Sequence, residues 1–346
     1  MNNYELQNKT FITAASPGIS RAEGSANGEW LVESLLEDQQ VNCLATDPNN
    51  PDIVYAGTGG DGVWRSDDRG KTWQFAGLNG HDVRALVVSP HDSRTIYSGT
   101  RPAAIHVSKD GGENWQEVES FQRIPWKRLW FSPASSPFSA YPLGIALSPT
   151  DPDVILVGIE FGAVVRSADG GKTWSGHRKG ALRDCHTLVA HASDGDWFYE
   201  AGGTGGGAAF SKDGGITWHQ HKAGLDRHYG WACAADPGDP SIWYASISPQ
   251  PTLLNPGVPP AHVDGKARAY IFRSKDGEPF QKLSGGLPQP LDYMAYALVT
   301  DPGAPGHLYV GLSNGDVWHT TDYGDNWHQL PLNLKRIERS MIMIPG

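Results

Sequence analysis

The sequence is poor in charge and in cysteine, and it has no long apolar run. Asp, Glu, Lys and Arg make up 19% of its 346 residues, below the ~25% of an average globular domain. That scarcity argues against an architecture of solvated amphipathic helices. Three cysteines, Cys43, Cys185 and Cys233, are odd in number and follow no zinc or redox spacing, so reduced thiols are expected rather than a disulfide framework. No stretch reaches the ~18 apolar residues of a membrane-spanning helix. The start, Met1-Asn2-Asn3-Tyr4-Glu5-Leu6, has no basic segment followed by an apolar one, so no secretory leader is expected and a soluble cytoplasmic protein is. With 28 Lys and Arg against 38 Asp and Glu, the formal net charge is -10. Nucleic acid is therefore not an expected partner, because binding phosphate needs a basic surface.

Turn formers and aromatics are abundant: 42 Gly, 25 Pro and 13 Trp. They fall in a repeat of Ser/Thr, any residue, Asp, any residue, Gly, any residue, Thr/Asn, Trp. Copies run from Ser66 to Trp73, Ser108 to Trp115, Ser167 to Trp174, Ser211 to Trp218 and Thr320 to Trp327, with a degenerate copy from Ser274 to Phe280. The spacing suits one propeller blade per copy. In such a turn the Ser/Thr and Asp side chains bind the turn backbone, the Gly supplies a backbone conformation that other residues resist, and the Trp buries a large apolar surface. The carboxylates Asp68, Asp110, Asp169, Asp213, Asp276 and Asp322 are therefore read as structural.

These copies resemble the Asp-box, or BNR, repeat of sialidases, sortilin-type receptors, xyloglucan hydrolases and photosystem assembly factors. The resemblance covers about residues 39 to 346. It implies an all-β propeller and leaves function open, because the box is structural. Six copies give six blades. The segments from Thr10 to Val32 and from Arg336 to Pro345 are left over, and joined they supply a seventh blade. The expected fold is a single-domain, seven-bladed β-propeller whose ring is closed by the two chain ends.

Inner strands aligned on their terminal Pro place Asn42, Arg84, Leu143, Trp231, Tyr296 and Arg339 at one depth around the axis, and His186 joins by pattern. Just above lie Asp82, Tyr141, Asp184, Tyr229, Met294 and Ile337, with Arg183, Arg227, His228, Tyr293, Arg336 and Glu338 as neighbours. Arg, His, Tyr, Trp and carboxylates converging on a concave mouth describe a pocket for a polar ligand. The candidate catalytic residues are His186, Asp184, Glu338, Tyr296 and Glu200. Glu200 is read as filling the slot that holds Tyr55, Tyr97, Tyr244 and Tyr309 in other blades. The candidate ligand-binding residues are Arg84, Arg339, His228, Tyr229, Trp231, Tyr293, Arg183, Arg227, Arg123 and Arg101. The expected ligand is a polar or acidic sugar or another small molecule, with no cofactor. A metal held by His219 and His221 with His177, His186, His191 or His228 is a weaker alternative.

The resemblance to sialidases implies three arginines clamping a carboxylate, here Arg84, Arg339 and Arg183 or Arg227. The Arg123-Ile124-Pro125 segment follows the second box, whereas in such sialidases it precedes the first. A lyase using His and Tyr on an acidic sugar is compatible with the same residues. Sortilin-like and assembly-factor propellers imply a non-enzymatic alternative, with protein or peptide contact through Trp126 to Phe131. Two insertions, Phe121 to Tyr141 and Ser248 to Ala269, are expected on the face opposite the boxes.

Overall fold

The structure is a computed structural model that describes residues 8–133, 136, 138–203, 205–250 and 261–346. Part of the second insertion, residues 251–260, lies outside the described residues. Seven antiparallel sheets form a ring of seven blades. The innermost strands of blades one to six are Val41–Asp47, Asp82–Val88, Pro142–Leu147, Cys185–Ala190, Tyr229–Ala235 and Ala295–Thr300. Blade seven is composite: Met341–Ile344 is innermost, followed by Thr10–Ala14, Ile19–Gly24 and Trp30–Leu35. The two ends pair antiparallel, with Thr10 opposite Ile344 and Thr13 opposite Met341. Closing the ring this way completes blade seven, so that every blade packs against a neighbour on both faces.

Most blades have four strands, as expected. Blade three has three; after its box, single amides of Ser175 and Arg178 bind the Arg166 and Val164 carbonyls, at 2.8 Å each, in place of a fourth strand. Outer strands of two residues, such as Gln74–Phe75 and His219–Gln220, keep the exposed edges short. All three cysteines are buried and free.

The box turns have the expected geometry. In blade one, Ser66 Oγ donates to Asp68 Oδ1 at 2.7 Å and accepts from the Gly70 amide at 2.9 Å. Asp68 accepts from the Thr72 amide at 2.9 Å and the Thr72 hydroxyl at 2.7 Å. Gly70 has φ +78°, a region costly for a residue with a Cβ. The turns share a face with the loops joining first to second strands. The Arg69, Gly111, Gly170, Gly214 and Tyr323 amides bind the Asp52, Arg94, Asp153, Asp196 and Gly306 carbonyls there, at 2.9–3.0 Å.

The degenerate copy departs from this geometry. Asp276 is exposed at φ +54°, and Ser274 Oγ donates to the Glu278 carbonyl at 2.9 Å instead. Without the Thr or Asn that clamps the box carboxylate, Asp276 is a turn residue, and only the buried Phe280 keeps its expected anchoring place.

Two outcomes follow for stability. Hydrogen bonds from Asn114 and Ser108 hold Asp110 down at about 2, and those from Thr173 and Ser167 do the same for Asp169, against an ordinary 3.8. A depressed folded-state value stabilises fully above the unfolded value and is lost as pH falls through the folded one. Thermal melting should therefore hold down to about pH 4 and drop between about pH 4 and pH 2. Trp327, 3% exposed and donating to the Gly324 carbonyl at 2.8 Å, should cost about 3–5 kcal/mol when replaced by Ala, read by urea denaturation.

Candidate functional site at the channel mouth

The inner strands share one irregularity. The ladder register shifts at Asn42, Arg84, Leu143, His186, Trp231 and Tyr296, each within the first few residues of its strand. An extra residue in one strand leaves the ladder and re-aims its side chain. In blade seven Arg339 takes this role ahead of its strand, at φ +66°, a conformation that a non-glycine holds only where its surroundings enforce it. All seven side chains line a channel cavity of about 300 Å³.

Above this ring, on the face away from the boxes, lies a cup of about 550 Å³, within the size range of small-ligand pockets. Leu143, His186, Trp231, Tyr296 and Arg339 form its floor, and Glu160, Asp184, Tyr229, His262, Arg336 and Glu338 are among its walls. His262 is central. Its Nε2 lies 2.6 Å from the Tyr229 hydroxyl and its Nδ1 2.8 Å from the Tyr296 hydroxyl. It stacks on Tyr296 at 5.8 Å and meets Trp231 edge-on at 4.9 Å. Solvent reaches the ring from the cup, while packed protein surrounds its base. That desolvation, with the positive charge of Arg339, pushes His262 down to about 4. The imidazole is therefore neutral at pH 7, with one donor and one acceptor nitrogen. One tyrosine donates to it and the other accepts from it, which frees the second hydroxyl's proton for a ligand. Burial raises both tyrosines, Tyr296 to about 12.

His186 sits beside this relay. Its Nδ1 donates to the Gly230 carbonyl at 2.8 Å, and its Nε2 is 3.6 Å from Asp184 Oδ1. Its ring lies 4.5 Å from Trp231. Arg336 is paired with Glu338 at 2.5 Å. Arg339 has no ion-pair partner among the described residues.

The structure thus brings together His186, Asp184, Glu338, Tyr296, Arg339, Tyr229 and Trp231, and it separates the other expected site residues from the cup. Arg84 is held by Asp82 at 2.6 Å, lies over the Tyr141 ring, and lines the channel below. Arg101 lies on the same Tyr141 ring and reaches Ser139. Arg183 lines a neighbouring cleft. Arg227 stacks 4.1 Å over Tyr270 and pairs with Asp226. Arg123 is on the surface beside Glu119. Tyr293 packs into the core of blades five and six, and His228 holds the Gly207 amide through its carbonyl. The three arginines of a carboxylate clamp therefore do not converge.

Glu200 also departs from its expected place. Tyr199, opposite Val189, occupies the tyrosine slot, as Tyr55 does opposite Ala45. Such tyrosines staple neighbouring blades: Tyr55 donates to the Gly111 carbonyl and Tyr199 to the Pro240 carbonyl. Glu200 is one residue further on, fully buried, accepting from the Leu182 amide at 2.6 Å and lining neither the cup nor the channel. Desolvation lifts it to about 8.

The histidines considered for a metal are scattered. His177, His191 and His221 each bind the backbone of a different segment, and no group of three or more potential ligands is poised for a metal among the described residues. Sequence reasoning missed His262 and Glu160 as site residues. His262 lies in an insertion outside the repeat, so no periodicity locates it. Glu160 had a usable signal: a charged residue ending the apolar run Val154–Ile159, on the loop that faces the mouth.

A sequence profile for the BNR/Asp-box repeat matches residues 209–220, around the fourth box. The chain is a seven-bladed propeller that carries Asp-box turns. No curated protein matches the sequence. Among solved structures, the propeller is similar to the GH74 xyloglucanase from Xanthomonas campestris, at 19% identity and a TM-score of 0.71, over 95% of this chain and 53% of that one. It is similar to an ancestral GH74 enzyme, at 21% identity and a TM-score of 0.62, over 92% of this chain and 39% of that one. It thus spans about half of the xyloglucanase, and less of the ancestral enzyme. A YCF48 structure bound to D1 peptide matches at 14% identity and a TM-score of 0.58, over 95% of this chain and 87% of that one. These likenesses establish the fold, which hydrolases and a peptide-binding protein share. No helix among the described residues is long and apolar enough to cross a membrane.

The His262 environment is directly measurable. Its imidazole should titrate near 4 by NMR, against about 6.5 for an unperturbed histidine. Arg339→Gln removes a positive charge and should move the midpoint upward. A wild-type midpoint at the ordinary value would show that the relay does not form.

Proposed function

We propose that the cup binds an acidic sugar and breaks its glycosidic bond by acid–base chemistry of the lyase type. The observation that carries this reading is the Tyr229–His262–Tyr296 relay, neutral at pH 7 and facing the same cup as Arg339, which has no ion-pair partner among the described residues. A uronate carboxylate is matched by a guanidinium fork. With its charge neutralised there, the hydrogen on the adjacent carbon becomes acidic. His186 Nε2 takes that proton. The C–H electron pair becomes a new double bond, the bond to the glycosidic oxygen breaks, and that oxygen leaves with its electron pair. The relay tyrosine whose hydroxyl is free gives it a proton, and His262 passes a replacement from the other tyrosine. Trp231 and Tyr229 supply an apolar surface for the sugar ring.

The carboxylates Asp184, Glu160 and Glu338 in the same cup make hydrolysis the competing outcome, as in the GH74 neighbours. A second reading, a peptide-binding scaffold, has its own observation: Trp126, Leu129, Phe131 and Phe138 are large apolar side chains more than half exposed on one insertion.

The test is incubation with uronate-containing oligosaccharides, following product by ultraviolet absorbance and mass. Elimination gives an unsaturated uronate, whereas hydrolysis adds water and gives none. His262→Ala and Arg339→Ala should each lower kcat/KM by about 10²-fold or more. If His262 must be neutral, kcat/KM should be lost as pH falls through the His262 value of about 4, with no activity persisting below it. A saturated product, or turnover indifferent to both substitutions, would refute the lyase reading.

A further inference from the structure

We infer that the cleft beside the cup is a second sugar subsite, so that the substrate is an acidic oligosaccharide extending from the cup across blades three and four. This inference rests on the acidic-sugar reading and deepens it. The cleft measures about 760 Å³ and shares Phe161 and Asp184 with the cup, so the two spaces adjoin at those side chains.

One wall of the cleft is aromatic, and its backbone is strained to make it so. Trp126 has φ +65° and Phe161 φ +49°. Bulky residues rarely adopt this region, and such outliers cluster where function constrains the chain. Both side chains line the cleft with Trp130. The insertion that carries the tryptophans is anchored at its base. Phe121 and Ile124 are buried in the core of blades two and three, and Ser120 Oγ binds the Gly171 carbonyl. Trp130 rests on Gly162, where a Cβ would come within 3.3 Å of its ring. From this rigid base Trp126 stands 69% exposed. A flat aromatic face held open beside a polar pocket suits the apolar face of a sugar ring.

The opposite wall is polar and basic, with Arg183, Lys222, Gln220 and His177 among its residues. His177 is fixed in this wall by the Val164 amide, which Nδ1 accepts at 3.2 Å, and by a hydrogen bond to the Ala181 backbone. Arg183 and Lys222 outweigh the single carboxylate, Asp184, in charge. Aromatic stacking on one side and cationic hydrogen bonding on the other fit a further uronate unit better than a neutral one.

The experiment measures binding of galacturonate and of its dimer, trimer and tetramer to the full chain by calorimetry, with cello-oligosaccharides of equal length as the neutral series. The wild type should bind the tetramer about tenfold more tightly than the monomer, and Trp126→Ala should reduce that ratio about five- to tenfold. Trp126→Phe should restore part of it. Lys222→Ala should reduce the ratio for the acidic series and not create one for the neutral series. If the monomer binds but affinity does not grow with length, or the ratio survives Trp126→Ala, the subsite is refuted and the cup stands. If neither series binds at any length, cup and cleft fall together. Tighter binding of the neutral series would overturn the uronate assignment.

Discussion

Everything in this molecule depends on the pairing of Thr10–Ala14 with Met341–Ile344. A propeller blade cannot shield both its faces alone, so each sheet relies on its neighbours, and the ring relies on the seam. The seam is reinforced beyond its ladder. The Arg69 guanidinium, from the first box, donates to the Asn8 and Pro345 carbonyls at 2.8 and 2.7 Å. The Thr13 hydroxyl binds the Ser340 carbonyl, and the Ser340 hydroxyl accepts the Leu44 amide. Bonds that close the seam therefore also tie it to blade one.

The same segment supplies the cup with much of its charge. Arg336, Glu338 and Arg339 precede Met341 directly, and the Glu338 amide is fixed by the Ala14 carbonyl at 2.8 Å. Arg339 can hold its left-handed conformation because residues on both sides of it are pinned to the N-terminal strand. Global closure and local electrostatics are thus one arrangement, and a fault in the seam would disorder the floor of the site before it loosened the remote boxes.

The fold was legible in the sequence because the box is a local motif. Its Ser, Asp, Gly and Trp satisfy one another within eight residues, so no distant contact is needed to recognise it. The channel ring was legible for a related reason. The Pro ending most inner strands sets a register, and counting back from it reaches Arg84, Trp231 and Tyr296 even though the bulges themselves leave no mark in the sequence. Matching the tyrosine slot of the second strands failed for Glu200, which was assigned one residue late, because Tyr199 fills that slot. Adjacent strand residues point to opposite faces, so that one step exchanged an inter-blade staple for a buried acid. His262 escaped because its place depends on where a non-repeating insertion folds back. Arg84 lines the channel, but composition does not reveal that Asp82 already holds it, nor that Asp226 holds Arg227.

The bulges carry a wider consequence. At six inner strands one residue stands outside the ladder, and Arg339 stands ahead of the seventh, so each of these side chains can change without altering a backbone hydrogen bond within its sheet. The seven positions behave as interchangeable sockets around an axle: asparagine, arginine, leucine, histidine, tryptophan, tyrosine and arginine here, and in principle any other set. Ancestral duplication of a single blade would yield a pore lined by one repeated residue, and divergence socket by socket would turn that symmetric pore into an asymmetric reactive surface while the scaffold stayed the same.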